Sequence, residues 1–320
     1  MKYIRRILLV LLPALLLAVV WTQRYDIHDW WQLRGYVPPV GIAQLAEDTA
    51  MTDYGRKLFY VNHPELNDKT SFNQNCTISE ASIVLGCYVT GEGIYLYDVS
   101  DPRLIGVHQV TAAHEMLHAA YDRLGVGERV RVDALTAGVL ATITDERLIT
   151  TIEAYRARDP SIVPNELHSI LPTELETLPQ ELEDYYKQYF SDRLAAVNYS
   201  KLYEAAFRER RDKVASYDAQ LASVKQDIDA KEVSLDSLSG RISADRQELD
   251  SLLAQRRYEE YNAKVPGFNQ RVRSYNSLVN QVRSLIETYN RLVVERNAIA
   301  LEENELIKAL DSRPETIPTE

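Results

Sequence analysis

The most regular pattern of apolar and polar positions lies in the C-terminal half. From about Tyr203 onward, Val214, Leu221, Ile228, Leu235, Ile242 and Leu249 recur every seventh residue, with Tyr217, Val224, Leu238 and Leu252 at an offset position. That spacing predicts a coiled coil. A second series, Tyr261, Phe268, Tyr275, Val282 and Tyr289 with Leu278, Leu285 and Leu292 offset, brackets and follows Val265-Pro266-Gly267. Proline removes a donor and glycine favours a turn, so the helix is expected to break at this triplet. Tyr275-Asn276-Ser277-Leu278-Val279 echoes in Tyr289-Asn290-Arg291-Leu292-Val293, an internal repeat two heptads long. Both arms carry an apolar seam and nothing else to bury it. The expectation is an antiparallel helical hairpin over residues 198–312, each arm of about 50 residues reaching roughly 70 to 80 Å.

The N-terminal half reads differently. Ile42 to Met51 suggests a short helix, Lys57-Leu58-Phe59-Tyr60-Val61 a strand, and Asn62 to Asn75 a polar loop. Ser82 to Val89 and Ile94 to Val99, joined by Thr90-Gly91-Glu92-Gly93, predict a β-hairpin. Helices are expected over Glu128 to Ile143 and Asp145 to Arg158, and again from Leu178-Pro179-Gln180-Glu181 through Tyr185, Tyr186, Tyr189 and Phe190. At the start, Lys2, Arg5 and Arg6 precede an unbroken apolar run from Ile7 to Trp21. Without an Ala-x-Ala cleavage site, this pattern predicts an uncleaved signal anchor over residues 1–22. It would keep the N-terminus cytoplasmic and put everything after Thr22 outside. A linker over 23–43 and a disordered tail over 313–320 complete the expected organisation.

The net charge of −11 is spread over helical faces, which argues against a nucleic-acid partner. Two cysteines, Cys76 and Cys87, flank the entrance to the expected sheet and in an exported domain are plausible disulfide partners.

The chemistry concentrates in Thr111-Ala112-Ala113-His114-Glu115-Met116-Leu117-His118-Ala119-Ala120. On a helix, residues four apart sit one above the other, so His114 and His118 can turn ring nitrogens to one tetrahedral metal ion. Glu115 projects about 100° away around the axis. That places it beside the metal, where a general base takes a proton from a water that zinc makes acidic. The flanking residues are small or apolar, so the histidines and glutamate lie on a helix buried nearly all round and need partners. Asp122, one turn beyond His118, is a candidate to orient it from behind. His28, His63 and His108 are assigned surface or packing roles.

A strand leading directly into such a helix resembles the layout of the zincin metallopeptidases, a likeness that covers about half of the chain. Pro164-Asn165-Glu166-Leu167-His168-Ser169 contains Asn-Glu-x-x-Ser, similar to the segment that supplies a glutamate ligand in the gluzincin, thermolysin-like branch. Ile170 stands where that branch often has an acidic residue. The resemblance implies Glu166 as third zinc ligand, with His168 and Glu174 as rivals. It also implies His168 as a donor to the developing oxyanion, with Tyr155, Tyr185 or Tyr186 as alternatives. The metzincin pattern is excluded, because Tyr121-Asp122-Arg123-Leu124-Gly125 follows the motif without a third histidine.

The expected fold is therefore α+β: a small zincin-like catalytic domain over 44–197, with a short antiparallel sheet and active-site helices, followed by the coiled-coil hairpin. The expected function is that of a membrane-anchored, Zn2+-dependent metallopeptidase acting on peptide or protein substrates outside the cytoplasm. Its metal ligands would be His114, His118 and Glu166, with Glu115 and His168 catalytic, and its coiled coil would serve self-association or a protein partner. The alternative is a non-catalytic envelope scaffold working through the helical arm.

Overall fold

The computed structural model describes residues 23–76 and 84–313. In chain order the elements are α1 (Arg24–Leu33), α2 (Val40–Asp48), α3 (Asp53–Tyr60), β1 (Glu65–Asn67), α4 (Lys69–Asn75), β2 (Gly86–Val89) and β3 (Gly93–Tyr97). Then follow α5 (Val107–Asp122), α6 (Val126–Leu140), α7 (Glu146–Arg158), α8 (Val163–Glu174), α9 (Gln180–Tyr186) and the two long helices α10 (Leu194–Ala254) and α11 (Tyr258–Leu310). The chain is thus mostly helical, with one small sheet and a long C-terminal helical hairpin. It forms two compact units, one holding the described residues up to Ala206 and from Leu306 on, the other Phe207–Glu305.

In the first unit, α5 is the buried centre. Its small residues Ala112, Ala113, Ala119 and Ala120 and the larger Met116 and Leu117 are all sealed from solvent. Small side chains let neighbours approach closely, and α2, α8 and β2 pack directly on it. Both ends are clamped. At the N-terminus Gly106 adopts φ +99°, and a Cβ there would stand 2.3 Å from the Tyr199 carbonyl oxygen. Only glycine satisfies both the left-handed backbone and the close approach. At the C-terminus the Arg123 guanidinium donates to both oxygens of buried Asp29 on α1, at 2.7 and 2.8 Å. Lys57 adds an ion pair to Asp29 at 3.0 Å. Burial pushes the Asp29 carboxyl up, but Arg123 and Lys57 together hold it below its usual value.

The sheet has the order β1-β3-β2, with β1 parallel and β2 antiparallel to β3. Gly86 pairs with Leu96 and Val89 with Gly93, so β2 is an edge strand of this sheet. Cys76 and Cys87 are joined as a disulfide, which ties the end of α4 to β2.

Several expectations need correction. Lys57 to Val61 is not a strand but belongs largely to α3: Thr52 caps the helix by accepting from the Gly55 amide at 3.1 Å, and Gly55, Leu58 and Phe59 bury one helical face. The cap and the three-to-four spacing override the β-forming side chains. The expected loop from Asn62 to Asn75 contains β1 and α4, the latter capped by the Asp68 carboxylate. The expected linker over 23–43 holds α1 and the start of α2. The single-pass membrane arrangement, and the extracytoplasmic location inferred from it, are corrected too: among the described residues no helix is long and apolar enough to cross a membrane. The Ile7–Trp21 run on which that arrangement rested lies outside the described residues, as does all but Arg313 of the expected tail.

In the second unit, α10 and α11 run antiparallel. Their cross-arm ion pairs, Arg210–Glu302 at 3.2 Å, Arg296–Asp218 at 3.0 Å, Arg271–Asp245 and Lys264–Glu248 at 2.7 Å, step up one helix as they step down the other. Leu249, Leu252, Val282 and Leu292 are buried along the seam. The turn does not fall at Pro266, which sits inside α11. It lies at Gln255–Arg257, where Arg256 takes φ +58°. A proline two turns into a helix deletes one backbone hydrogen bond, a cost that the apolar seam on either side offsets.

Replacing Gly106 with alanine is expected to lower the unfolding free energy of the metal-free chain by roughly 2 to 4 kcal/mol, from strained φ plus the carbonyl clash. Urea unfolding followed by circular dichroism measures it; a loss under about 0.5 kcal/mol would contradict the clamp at this end of α5.

Candidate metal centre

His114, Glu115 and His118 lie on α5, and α8 packs across that helix to bring Asn165, Glu166 and Ser169 against them. The His114 and His118 Nε2 atoms are 2.9 Å apart. Glu166 faces both, with Oε2 3.6 Å from the first and Oε1 3.8 Å from the second. Donors at about 2.0 to 2.2 Å from a tetrahedral zinc-like ion would be separated by about 3.3 to 3.6 Å. The observed triangle brackets that span. Glu115 joins the cluster, its carboxylate within 4.8 Å of both imidazoles.

A second observation points to a cation. Glu166 Oε2 is buried, and the His114 Nε2 it faces stands at 3.6 Å, too long for a good hydrogen bond. A buried carboxylate oxygen without a donor is costly, and a metal ion among these three side chains would satisfy it. Burial raises the Glu166 carboxyl, yet the two histidines more than reverse this, and the net shift is downward. The anionic form is the one a metal ligand needs.

The tautomer of His118 is set from behind. Its Nδ1 lies 3.0 Å from Asn165 Oδ1 and 3.2 Å from Ser169 Oγ. Donation from Nδ1–H to the Asn165 oxygen leaves the Nε2 lone pair facing His114 and Glu166. Asn165 and Ser169 are one helical turn apart on α8, so both reach one imidazole edge while Glu166 reaches the other.

Two expectations fail on geometry. Asp122 does not touch His118; its Oδ2 instead accepts from Thr90 Oγ1 at 2.9 Å and Tyr88 Oη at 3.2 Å, tying the β2–β3 turn to α5. His168 does not face the cluster. Its ring is completely buried among Tyr121, Tyr185, Tyr186 and Tyr189, and Nε2 pairs with Tyr185 Oη at 2.8 Å. Burial, and after it the charge of His118, pulls this imidazole down to about 3 against an opposing effect from the Leu117 backbone. A neutral histidine walled off by tyrosines is a packing element, not an oxyanion donor. Tyr185 and Tyr186 are enclosed with it. Glu174, the other rival ligand, is neutralised by Arg147.

A cleft of about 220 Å3 opens over the cluster. One wall is β2, through Gly86, Cys87 and Tyr88; the other is α7 and the approach to α8, through Tyr155, Arg158 and Ile162. A second hollow of about 210 Å3 continues it past Glu115 and shares Val84, Gly86, His114, Glu115 and Tyr155 with the first. The cleft therefore runs on both sides of Glu115. Tyr155, named from sequence only as an alternative donor, lines both halves.

Comparison of the chain with protein-family models, with curated proteins and with solved structures gives no match.

If Asn165 holds the His118 tautomer, Asn165→Ala weakens metal binding roughly 10- to 100-fold, whereas Asp122→Asn leaves it unchanged. Competition with a chromogenic chelator reads both constants. Equal effects from the two variants would sink the assignment.

Proposed function

We propose that this chain is a zinc metallopeptidase of the gluzincin kind, hydrolysing peptide bonds with Glu115 as general base. The observation that carries the reading is the convergence of His114, His118 and Glu166 from two helices, with an otherwise unsatisfied Glu166 oxygen among them. Two imidazoles and one carboxylate, with room left in the cleft for a fourth position, match the donor set of catalytic zinc sites.

A zinc ion bound there supplies Lewis acidity toward a substrate carbonyl and lowers the pKa of water to about 7. The chain's own residues supply the rest. Glu115, next to His114 and lining both halves of the cleft, accepts the proton of the attacking water and returns it to the departing amine. Strand β2, at the edge of the sheet among the described residues and lining the cleft, suits an extended peptide by β-augmentation. Tyr155, which lines both halves of the cleft, is the candidate donor to charge that develops on the carbonyl oxygen. A cleft continuing on both sides of the base fits cleavage inside a peptide.

Glu115→Gln is expected to lower hydrolysis of a generic peptide substrate such as casein by roughly 10²- to 10⁴-fold while zinc stays stoichiometric. His114→Ala should lose the zinc itself, measured by atomic absorption after dialysis. Retention of full activity by Glu115→Gln would eliminate the mechanism, and a wild-type chain that binds no zinc would eliminate the reading. Among third-ligand variants, Glu166→Gln should weaken zinc far more than Glu174→Gln.

A further inference from the structure

Gly86 occupies a place in the cleft that its backbone does not explain. It lies in regular strand β2, and its φ is not left-handed. Any residue could adopt that backbone. Space is what requires glycine: a Cβ at 86 would stand 2.5 Å from Thr111 Cγ2, 2.9 Å from Glu115 Cγ and 2.9 Å from Glu115 Oε1. The volume of the absent side chain is taken up by the Thr111 methyl group and by the side chain proposed as the base.

Little around Gly86 can move to make room. The strand is held on one side by its ladder with β3, Gly86 opposite Leu96, and by the Tyr97 amide bonding to the Leu85 carbonyl at 2.8 Å. Ser312 Oγ donates to the Val84 carbonyl at 2.5 Å, and the next residue, Cys87, is bonded to Cys76. Thr111 is equally fixed, because its Oγ1 donates to the Val107 carbonyl at 2.8 Å and that bond sets the direction of Cγ2. Of the three contacts, the Glu115 side chain alone has several rotatable bonds. An added methyl group would press on Thr111 and Glu115 together, and of the two the Glu115 carboxylate is the group that can turn aside.

We infer that Gly86 is a positioning residue for Glu115: the edge strand lacks a side chain at this point so that the base carboxylate is pressed between β2 and α5 in its working rotamer. This deepens the peptidase reading and rests on it. It also makes Gly86 distinct from the metal ligands, since none of His114, His118 or Glu166 is among the three atoms nearest to its missing Cβ.

The test uses the full chain and Gly86→Ala, with two readouts. In hydrolysis, kcat should fall roughly 10²-fold with KM within about threefold, the pattern of a misplaced catalytic group. In binding, zinc should remain stoichiometric while the affinity for acetohydroxamate, whose hydroxyl needs a carboxylate acceptor beside the metal, should fall roughly tenfold or more, as in Glu115→Gln. Wild-type kcat and acetohydroxamate affinity in Gly86→Ala would overturn the inference. If Gly86→Ala does not fold, Gly86→Ala combined with Thr111→Ser decides, because it removes the tightest contact and keeps the one with Glu115. Weak acetohydroxamate binding with full zinc in that double variant supports the inference, and wild-type binding overturns it. Thr111→Ser alone should behave as wild type. A zinc-loaded wild-type chain that cleaves no peptide would defeat the peptidase reading, leaving Gly86 to be judged on the acetohydroxamate comparison.

Discussion

A carboxylate buried against two imidazoles is the constraint around which the first unit is built. Glu166 is held below its usual carboxyl value despite burial because His114 and His118 face it, yet one of its oxygens finds its facing imidazole nitrogen only at 3.6 Å. Such an arrangement is expensive in a protein interior unless a cation completes it. The packing of α8 on α5 serves this geometry, since it alone brings a side chain 48 positions away in register with two histidines one turn apart, as the roughly 5.4 Å helical pitch allows. The small residues along α5 are what permit that approach.

The supporting contacts are arranged in layers around this point. Asn165 and Ser169 fix the far edge of His118, so one short stretch of α8 supplies both the candidate ligand Glu166 and the orientation of the imidazole it faces. Asp122 serves instead to hold the β2–β3 turn, keeping the cleft wall in place. Behind α8, the His168 imidazole and its tyrosines fill the core with aromatic faces and share a chain of hydroxyl contacts, Tyr189 to Tyr185 to His168. Every one of these polar atoms would cost free energy alone, and the network lets them be buried together.

Much of this was legible from spacing. The His114-Glu115-x-x-His118 stretch and the Asn165-Glu166-x-x-Ser169 stretch each have helical periodicity, so the faces on which these side chains gather could be read directly. The heptads of α10 and α11 were equally plain. What could not be read depended on partners distant in sequence. His168 sits between Leu167 and Ser169 in a stretch rich in candidate groups, and only the tertiary packing of α9 shows it turned away from the cluster. Lys57 to Val61 has the composition of a strand, but the Thr52 cap and the burial of Leu58 and Phe59 made it a helix. Pro266 looked like a terminus because local propensity was weighed without the seam that carries the helix through it. Gly86 gave no signal, since a glycine chosen for space looks in sequence like a glycine chosen for a turn.

The two clamps on α5 have a consequence for which ions the site can admit. Gly106 seats one end of the helix against the Tyr199 carbonyl, and the Arg123–Asp29 pair anchors the other. A helix held at both ends cannot roll or slide to spread its histidines. The three candidate donors stand 2.9 to 3.8 Å apart, within reach of one ion. Calcium, which gathers six to eight oxygens, is disfavoured by a donor set of two imidazole nitrogens and one carboxylate. An ion entering such a fixed site would have to suit the donors where they stand, so donor chemistry rather than movement of the helices would choose it.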